Sequence, residues 1–520
     1  MELCELRSTH FWVLLGVLTA WCGVIVLARK KQRLPNVEFL RICDKPGNAG
    51  DDDDVEAFME DSLGAILKGY KKYSKAGRHF LLRTPKQVYL MISPTMLDEI
   101  RKAPETHLSQ PAQAEIIFQV KHTLHPALSK DLYHFDVVRK KLTHALPSII
   151  TNLVDETLYA LGVAVGTPLD WVELQMYPVA SNLITRVANR MLVGSELCRN
   201  DEFLHYSGAF TKATFDAAAM LRNVPEIIKP LMMKFRTDHR EQQEIARKYL
   251  IPIINERIKA IESGTTEKRK LPNDSVTWLL ELTPAEKRDP EILLQRLIHI
   301  NVTAIHAPVA TLTECMYDLC RYPEIHEELR SEIAEVFANK TPESAWIKAN
   351  VDRLIKLDSF IRESARMTPM SAVKMERLAV QDFCLSDGTR IPKGICIGVV
   401  SHGRHIDEDL LPNATTFDAF RFARMRAQLE MENNYTFGQA SSDNLLFGLG
   451  RHACPGRHFA SVLLKIILVE VLVNYEIEFI KGAPLPQGKW TQKFRNPDLQ
   501  ASIAWRLRPI EDRFSSAFIK

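Results

Sequence analysis

The spacing of apolar residues along most of this chain has the period of an α-helix. This spacing predicts helices within 55–73, 94–262, 290–320, 323–337, 354–367 and 456–473. Strands are predicted for a hairpin at 77–93, for 373–400 and for 475–480. The four aspartates at 51–54 are predicted to form a solvated loop, and 401–446 is predicted to be mostly irregular. The pattern therefore predicts a mainly α fold with small β-sheets at its edges.

The N-terminal segment departs from this pattern because residues 11–28 form an apolar run without a charge. As a helix, these residues would span about 27 Å, close to the ~30 Å hydrocarbon core of a bilayer. The basic cluster RKKQR at 29–33 follows the run, and basic residues stay on the cytosolic side. We therefore predict a single transmembrane anchor with its basic flank at 1–34 and a cytosolic body at 35–520. A cleaved signal peptide is the alternative, but it favours basic residues before the apolar run.

Composition excludes several classes of protein. The chain has 520 residues, of which 46% are hydrophobic and 25% are charged, so it is neither collagen-like nor disordered. Its 67 basic and 64 acidic residues leave a net charge of +3, and the cluster at 29–33 accounts for that excess. The charge therefore gives no reason to expect a nucleic-acid partner. The nine cysteines are irregularly spaced, which indicates reduced thiols in a cytosol-facing protein.

Residues 447–457, FGLGRHACPGR, carry the clearest chemical signal. One interpretation is a dinucleotide-binding loop, because 448–453 match G-x-G-x-x-A and Glu470 follows at a suitable distance. This interpretation lacks a preceding strand and enough following chain for a doubly wound sheet. The second interpretation makes Cys454 a metal ligand, because the free N–H groups of the following helix favour a thiolate. A single thiolate on an apolar site suits a haem axial position better than zinc, which needs further ligands.

The same segment resembles the F-x-x-G-x-x-x-C-x-G signature of the cytochrome P450 family, with its fixed positions at Phe447, Gly450, Cys454 and Gly456. The resemblance implies the fold of that family and haem b with Cys454 as its axial thiolate. The two glycines are expected to let the backbone approach the flat cofactor, and Phe447 to cover the sulfur. A buried, unreactive cysteine near a turn is the alternative.

Further charged residues match the family. Glu363 and Arg366 form an ExxR pair on one helix face, and the resemblance adds Arg421, within FDAFRF, as the third member of a buried charge network. That network is expected to hold the loop before Cys454, and surface salt bridges are the alternative.

The resemblance also supplies cationic partners for the haem propionates, namely His452, Arg377 and Arg139. Phe135 stands where the family usually has tryptophan four residues before this arginine, and Lys140 is an alternative to Arg139.

The long helix at 290–320 departs from the family pattern. The family carries a threonine above the haem, preceded by an acid, whereas this chain has Ala307 and His306 at those positions. The threonine hydroxyl helps to deliver protons in the family, and Ala307 has none. Pro308 lacks an N–H, so it leaves the carbonyl of Ala304 unpaired and is expected to kink the helix. His306 is either a proton relay or a packed histidine.

The resemblance implies a membrane-anchored monooxygenase of the endoplasmic reticulum, similar to fungal microsomal members of secondary metabolism. It would oxidise a small lipophilic metabolite of terpenoid or alkaloid type with O2 and electrons from NADPH–cytochrome P450 reductase, with cytochrome b5 as a further partner. Because Ala307 replaces the threonine, a haem-thiolate isomerase, dehydratase or ring-forming enzyme is the alternative. A non-catalytic haem-binding protein is a further alternative.

Overall fold

A computed structural model describes residues 33–43, 51–222, 224–263, 271–338, 340–428 and 434–509. The predicted anchor at 11–28 lies outside these residues. Within the described ranges, no helix is long and apolar enough to cross a membrane.

Most of the described chain is helical. The helices are Asp51–Glu60, Ser62–Lys72, Leu97–Lys102, Gln110–Phe118, Val120–Thr123, Pro126–Lys130, His134–Asp136, Thr143–Ala164, Met176–Leu192, Asp201–Leu221, Lys229–Lys234, Thr237–Glu262, Ser275–Leu282, Pro290–Arg321, His326–Phe337, Pro342–Ala345, Lys348–Arg353, Ile355–Met367, Ser401–His405, Arg421–Gln428 and Arg457–Asn474. A π-helical segment covers Val137–Leu142, and a 3₁₀ turn covers Gly450–His452.

Two long helices form the centre of the hydrophobic core. Pro290–Arg321, called the cavity helix below, begins where the Asp289 carboxylate accepts the N–H groups of the first turn. It packs along Met176–Leu192 and is buried over most of its length. Arg457–Asn474 is almost entirely buried, as expected for a helix that is apolar on all sides.

The strands form small sheets beside this helical body. They are β1 (Phe80–Arg83), β2 (Val88–Met91), β3 (Leu108–Ser109), β4 (Val172–Gln175), β5 (Val373–Ala379), β6 (Phe383–Cys384), β7 (Arg390–Ile391), β8 (Cys396–Val400), β9 (Tyr475–Phe479), β10 (Lys489–Thr491), β11 (Phe494–Asn496) and β12 (Ser502–Leu507). The largest sheet has the order β1-β2-β8-β5-β3, with β2 and β8 parallel and the other pairs antiparallel. The others pair β4-β12-β9, β10-β11 and β6-β7.

Strand β5 is irregular at the point that later forms part of the site. Its register against β8 shifts between Lys374 and Arg377, and Met375 has a φ of +58°. A bulge of this kind adds a residue to one strand and redirects the side chains that follow. As a result, Lys374 and Arg377, which a regular strand would send to opposite faces, both line one cavity.

The mainly α fold with small sheets is confirmed, as are the hairpin β1-β2 and the long helix. The prediction of a loop at 51–54 is wrong, because these aspartates form the first turn of Asp51–Glu60. Acidic residues suit that position, where N–H groups are unpaired and the helix end is positive. Asp54 is buried, its carboxylate accepts the N–H of Ile42, and it pairs with Arg41 at 3.1 Å.

Candidate functional site

A cavity of about 520 Å³ lies between the cavity helix, β5 and the loop that carries Cys454. Its walls are largely apolar. Side chains that form them include Phe118, Phe135, Leu142, Ile300, Val373 and Phe437. The cavity is therefore suited to an apolar molecule, and the few polar groups that reach it determine its chemistry.

The backbone of the Cys454 loop is tightly folded. The Cys454 N–H donates to the carbonyl of Phe447 at 2.8 Å, which closes the loop, and the Phe447 ring lies edge-on to Phe437 with 5.1 Å between centroids. Gly448 and Gly450 both have a φ of +73°, a conformation that side chains with a Cβ rarely adopt. The sequence FGLG thus supplies glycine where the turn requires it.

The Cys454 side chain opens into the cavity, while the protein around it is dense enough that burial raises the pKa of its thiol. The backbone N–H groups of Gly456 and Arg457 and the positive charges of Lys374 and Arg457 act in the opposite direction. These N–H groups belong to the start of Arg457–Asn474, so the helix terminus favours a thiolate as the sequence predicts.

The donor set at Cys454 fits haem. One sulfur faces an apolar cavity, and the described residues contain no group of three or more His, Cys, Asp or Glu side chains that could hold a metal ion. A zinc site needs such a group, whereas a haem needs one protein ligand and flat apolar walls. The dinucleotide-loop interpretation fails, since Glu470 is buried within Arg457–Asn474 and burial raises its pKa to about 8.

Two of the three cations predicted for the propionates line this cavity. Arg377 is 3% exposed, and burial lowers its pKa to about 10. Its Nη1 donates to the neighbouring Glu376 carbonyl at 2.7 Å. His452 also lines the cavity, and its Nε2 contacts the Glu105 carboxylate. Burial is the main cause that lowers the pKa of His452.

The third predicted cation, Arg139, does not line the cavity. Its guanidinium is about half exposed, pairs with Asp136 at 3.0 Å and donates to the Arg451 carbonyl at 3.3 Å. The π-helical geometry of Val137–Leu142 has a wider turn than an α-helix, so Arg139 does not share the face of Phe135, four residues earlier. Lys140 is also exposed and paired with Asp136.

The two signature glycines have different surroundings. Gly456 lines the cavity, and a Cβ there would lie 3.6 Å from Val138, an ordinary contact. Gly450 does not line it, and a Cβ there would lie 2.3 Å from Cγ of Arg101. The expectation that Gly450 gives the backbone access to a flat ligand is therefore not supported, because the residue is constrained by its positive φ and by Arg101.

The three charged residues of the predicted network lie together in the interior. Glu363 is fully buried, Arg366 forms two hydrogen bonds to its carboxylate at 2.8 and 2.7 Å, and Arg421 donates to it at 3.2 Å. Both arginines also donate to backbone carbonyls between residues 405 and 416. The alternative of surface salt bridges is excluded by this burial.

The network reaches the Cys454 loop through one histidine. Arg366 donates to the carbonyl of His405 at 2.8 Å, and His405 Nε2 accepts the N–H of Leu445 at 3.1 Å. Burial and nearby positive charges lower the pKa of His405 well below its usual value, so the neutral ring can accept that bond. Leu445 begins the segment that leads to Cys454. Sequence reasoning missed His405.

The cavity helix presents Thr303, Ala304, Ala307, Pro308 and Thr311 to the cavity. The helix is continuous through Pro308, which offers no N–H to the Ala304 carbonyl. His306 is not among the lining residues, and its ring packs 5.4 Å from that of Phe215 on Asp201–Leu221. This placement favours the packed histidine over the proton relay.

The hydroxyl groups that line the cavity are all directed at the main chain. Thr303 donates to the carbonyls of His299 and Ile300 at 3.0 and 2.9 Å, and Thr311 donates to that of Ala307 at 3.1 Å. The remaining two, Thr368 and Ser371, donate at 2.8 Å to the carbonyls of Ser364 and Val373, respectively. No lining hydroxyl in the described chain thus replaces the one that Ala307 lacks.

Sequence reasoning also missed Lys374, which lines the cavity from β5. The strand pattern at 373–400 gave no signal for it, because regular alternation places residues 374 and 377 on opposite faces.

Comparisons with known proteins agree with this geometry. The family model described as Cytochrome P450 matches residues 72–504. Cytochrome P450 monooxygenase 151 of Postia placenta is 30% identical over 454 residues, which cover 87% of this chain and 90% of the relative. Cytochrome P450 monooxygenase AN1598 of Emericella nidulans is 30% identical over 87% of this chain and 84% of the relative. Ent-kaurene oxidase of Gibberella intermedia is 30% identical over a stretch that covers 88% of this chain and 85% of the relative.

Proposed function

The chain belongs to the cytochrome P450 family of oxidoreductases, which bind haem b through a thiolate, and from this premise we propose that it is a membrane-anchored monooxygenase of a lipophilic secondary metabolite. It uses O2 and electrons from NADPH that arrive through NADPH–cytochrome P450 reductase, with cytochrome b5 as a further donor. The observation that carries this proposal is the largely apolar cavity of about 520 Å³ into which Cys454 opens.

Within the proposal, Cys454 would supply the thiolate that holds the haem iron, and Arg377 and His452 would hold the propionates. When bound, the haem supplies the reductive activation of dioxygen. Phe447 shields the sulfur on the protein side. The backbone N–H groups of Gly456 and Arg457 polarise it. The Glu363 network keeps the loop in place without touching substrate.

The substrate class follows from the walls of the cavity. Apolar side chains bind an apolar skeleton and exclude water, which protects the reacting carbon from competing hydrolysis and proton leakage. The name of one relative, an ent-kaurene oxidase, supports a substrate of terpenoid type, and an alkaloid skeleton fits the same kind of wall.

The test is reductase-dependent oxidation of a panel of terpenoid and alkaloid intermediates by the full chain in membranes. We expect NADPH consumption with oxygen uptake that depends on substrate, and a product that gains one oxygen atom. Cys454→Ser should remove both this activity and the red-shifted Soret band of the reduced carbon-monoxide complex. A Cys454→Ser protein that keeps the band would overturn the ligand assignment.

A second function is favoured by one observation, namely that Ala307 has no hydroxyl and that the lining hydroxyls donate to the main chain. A haem-thiolate isomerase, dehydratase or ring-forming enzyme acts on an already oxygenated substrate and has less need of a proton donor at this position. Turnover of such a substrate without NADPH or reductase would select this function. A non-catalytic haem protein would show neither reaction.

We also propose that residues 11–28 anchor the enzyme in the endoplasmic reticulum membrane with its body in the cytosol. The uncharged run and the basic cluster at 29–33 support this topology. Deletion of 1–34 should release the body from membranes while leaving haem binding intact. Protection of the body from protease in sealed microsomes would contradict the topology.

A further inference from the structure

Among the cations that line the cavity, Lys374 is the one that is neither assigned to a haem propionate nor paired with a carboxylate of the described residues. Lys374 projects from β5 into the cavity that Cys454 faces. Among the residues that the structure describes, its ammonium group makes no hydrogen bond and no ion pair, in contrast to Lys493 of the neighbouring β10-β11 turn, which pairs with Glu376.

Two carboxylates near β5, one that acts on Lys374 and one that acts on Arg377, are already bound by other groups. Glu376, two residues along β5, accepts hydrogen bonds from Lys493 and, at 3.2 Å, from Gln113. Glu105, at the edge near Arg377, contacts His452 and, at 3.4 Å, Arg451. Among the described residues, no carboxylate therefore forms an ion pair with the Lys374 ammonium group on the wall formed by β5.

This charge is costly for the folded protein in the absence of an anion. Burial lowers the pKa of Lys374, and the charges of Glu376 and Cys454 oppose that effect only in part. Lys374 is half-buried and reaches the cavity, so its ammonium group is less hydrated than one at the surface but remains accessible to an incoming anion. A charge-assisted hydrogen bond formed under these conditions is stronger than one at the surface.

We propose that Lys374 binds a carboxylate group of the substrate, so that the enzyme acts on a lipophilic acid whose apolar skeleton fills the rest of the cavity. With Arg377 and His452 assigned to the propionates, a monoanion matches the one cation that remains at this wall, and the apolar walls match the skeleton. The anchored carboxylate fixes which carbon of the skeleton is presented for reaction. This inference deepens the proposed function and depends on it for the reaction, but not for binding.

The test compares acids with their neutral primary amides, which have nearly the same shape. Dodecanoic acid against dodecanamide and dehydroabietic acid against its amide provide a linear and a polycyclic skeleton. Each probe is titrated into the haem-loaded full chain, and the shift of the ferric Soret band gives its Kd. We expect at least one acid to bind about tenfold or more tightly than its amide, as for a hydrogen bond to a charged group.

Variants identify the residue responsible. Lys374→Met should remove the preference for the acid while leaving amide binding unchanged, and Lys374→Arg should retain much of it. Lys393→Met, an exposed position at the turn before β8, is the matched control and should behave as the wild type. Should Lys374→Met fail to hold haem, Lys374→Gln replaces it in the same titration.

Several outcomes would overturn the inference. One is that neither acid binds the wild type more tightly than its amide, and another is that the preference survives in Lys374→Met. Loss of haem from every neutral variant at 374 would assign the lysine to a propionate instead. A preference for the acid without any oxygenated product would leave the Lys374 site standing and contradict the monooxygenase. Equal affinity for acid and amide together with coupled oxidation would contradict the Lys374 site and leave the monooxygenase function unaffected.

Discussion

Replacement of Glu363 by glutamine should cost the protein its haem and much of its stability. The Glu363 carboxylate is fully buried and accepts hydrogen bonds from Arg366 and Arg421 at distances between 2.7 and 3.2 Å. It also accepts the N–H of Asp418 at 3.0 Å. Glutamine keeps the shape but removes the one carboxylate of the described residues that both guanidinium groups contact.

The magnitude follows from the two charges that remain. The side chains of Arg366 and Arg421 are 5% and 8% exposed, so water cannot replace the lost carboxylate. Removal of one partner from a buried ion pair costs roughly 3–5 kcal/mol, a large part of a typical unfolding free energy of about 5–15 kcal/mol. Because Arg366 also binds the His405 carbonyl, the effect should reach the loop that carries Cys454.

The assay is the melting temperature of purified protein together with the haem content and the Soret band of its reduced carbon-monoxide complex. Glu244→Gln is the matched control, because Glu244 pairs with Arg247 at the same i, i+3 spacing and 2.7 Å but is 63% exposed. An exposed pair contributes about 0–1 kcal/mol, so this variant should resemble the wild type. A soluble Glu363→Gln protein with full haem content and an unchanged melting temperature would refute the network.

Two further predictions concern the cavity helix. Ala307→Thr should raise the product formed per NADPH severalfold, because it supplies the hydroxyl that Ala307 lacks; unchanged coupling would show that this hydroxyl is not needed. His306→Phe should leave that ratio unchanged, because the ring packs against Phe215 rather than lining the cavity; a loss of coupling would restore the proton relay.

The sequence predicted those parts of the site that depend on local chemistry. Cys454 precedes a helix and follows two turn-forming glycines, so a short motif determines its backbone and its electrostatics. Glu363 and Arg366 share a helix face by spacing alone, and Arg421 was found by the family resemblance. In these cases the geometry expected from the short motif is the geometry found in the folded chain.

The errors arise where geometry is not local. The resemblance predicts Arg139 as a propionate partner, but in the π-helical segment its side chain does not line the cavity. Lys374 was overlooked because a bulge in β5 changes the alternation of its side chains. Neither the π-helical segment nor the bulge can be predicted from the spacing of apolar residues. Both depend on how the helix or strand packs against its neighbours.

Most polar groups of the cavity are bound by other groups of the protein or are assigned to the propionates, whereas the Lys374 ammonium group is not. The lining hydroxyls donate to main-chain carbonyls, Glu376 is held by Lys493, and Arg377 and His452 lie where propionates would be bound. With these groups committed, the apolar walls distinguish substrates mainly by shape, and Lys374 adds a charge to that selection. Because a polar group in a binding cavity discriminates strongly against ligands that leave it unpaired, we expect this lysine to contribute more to selectivity than the apolar contacts around it.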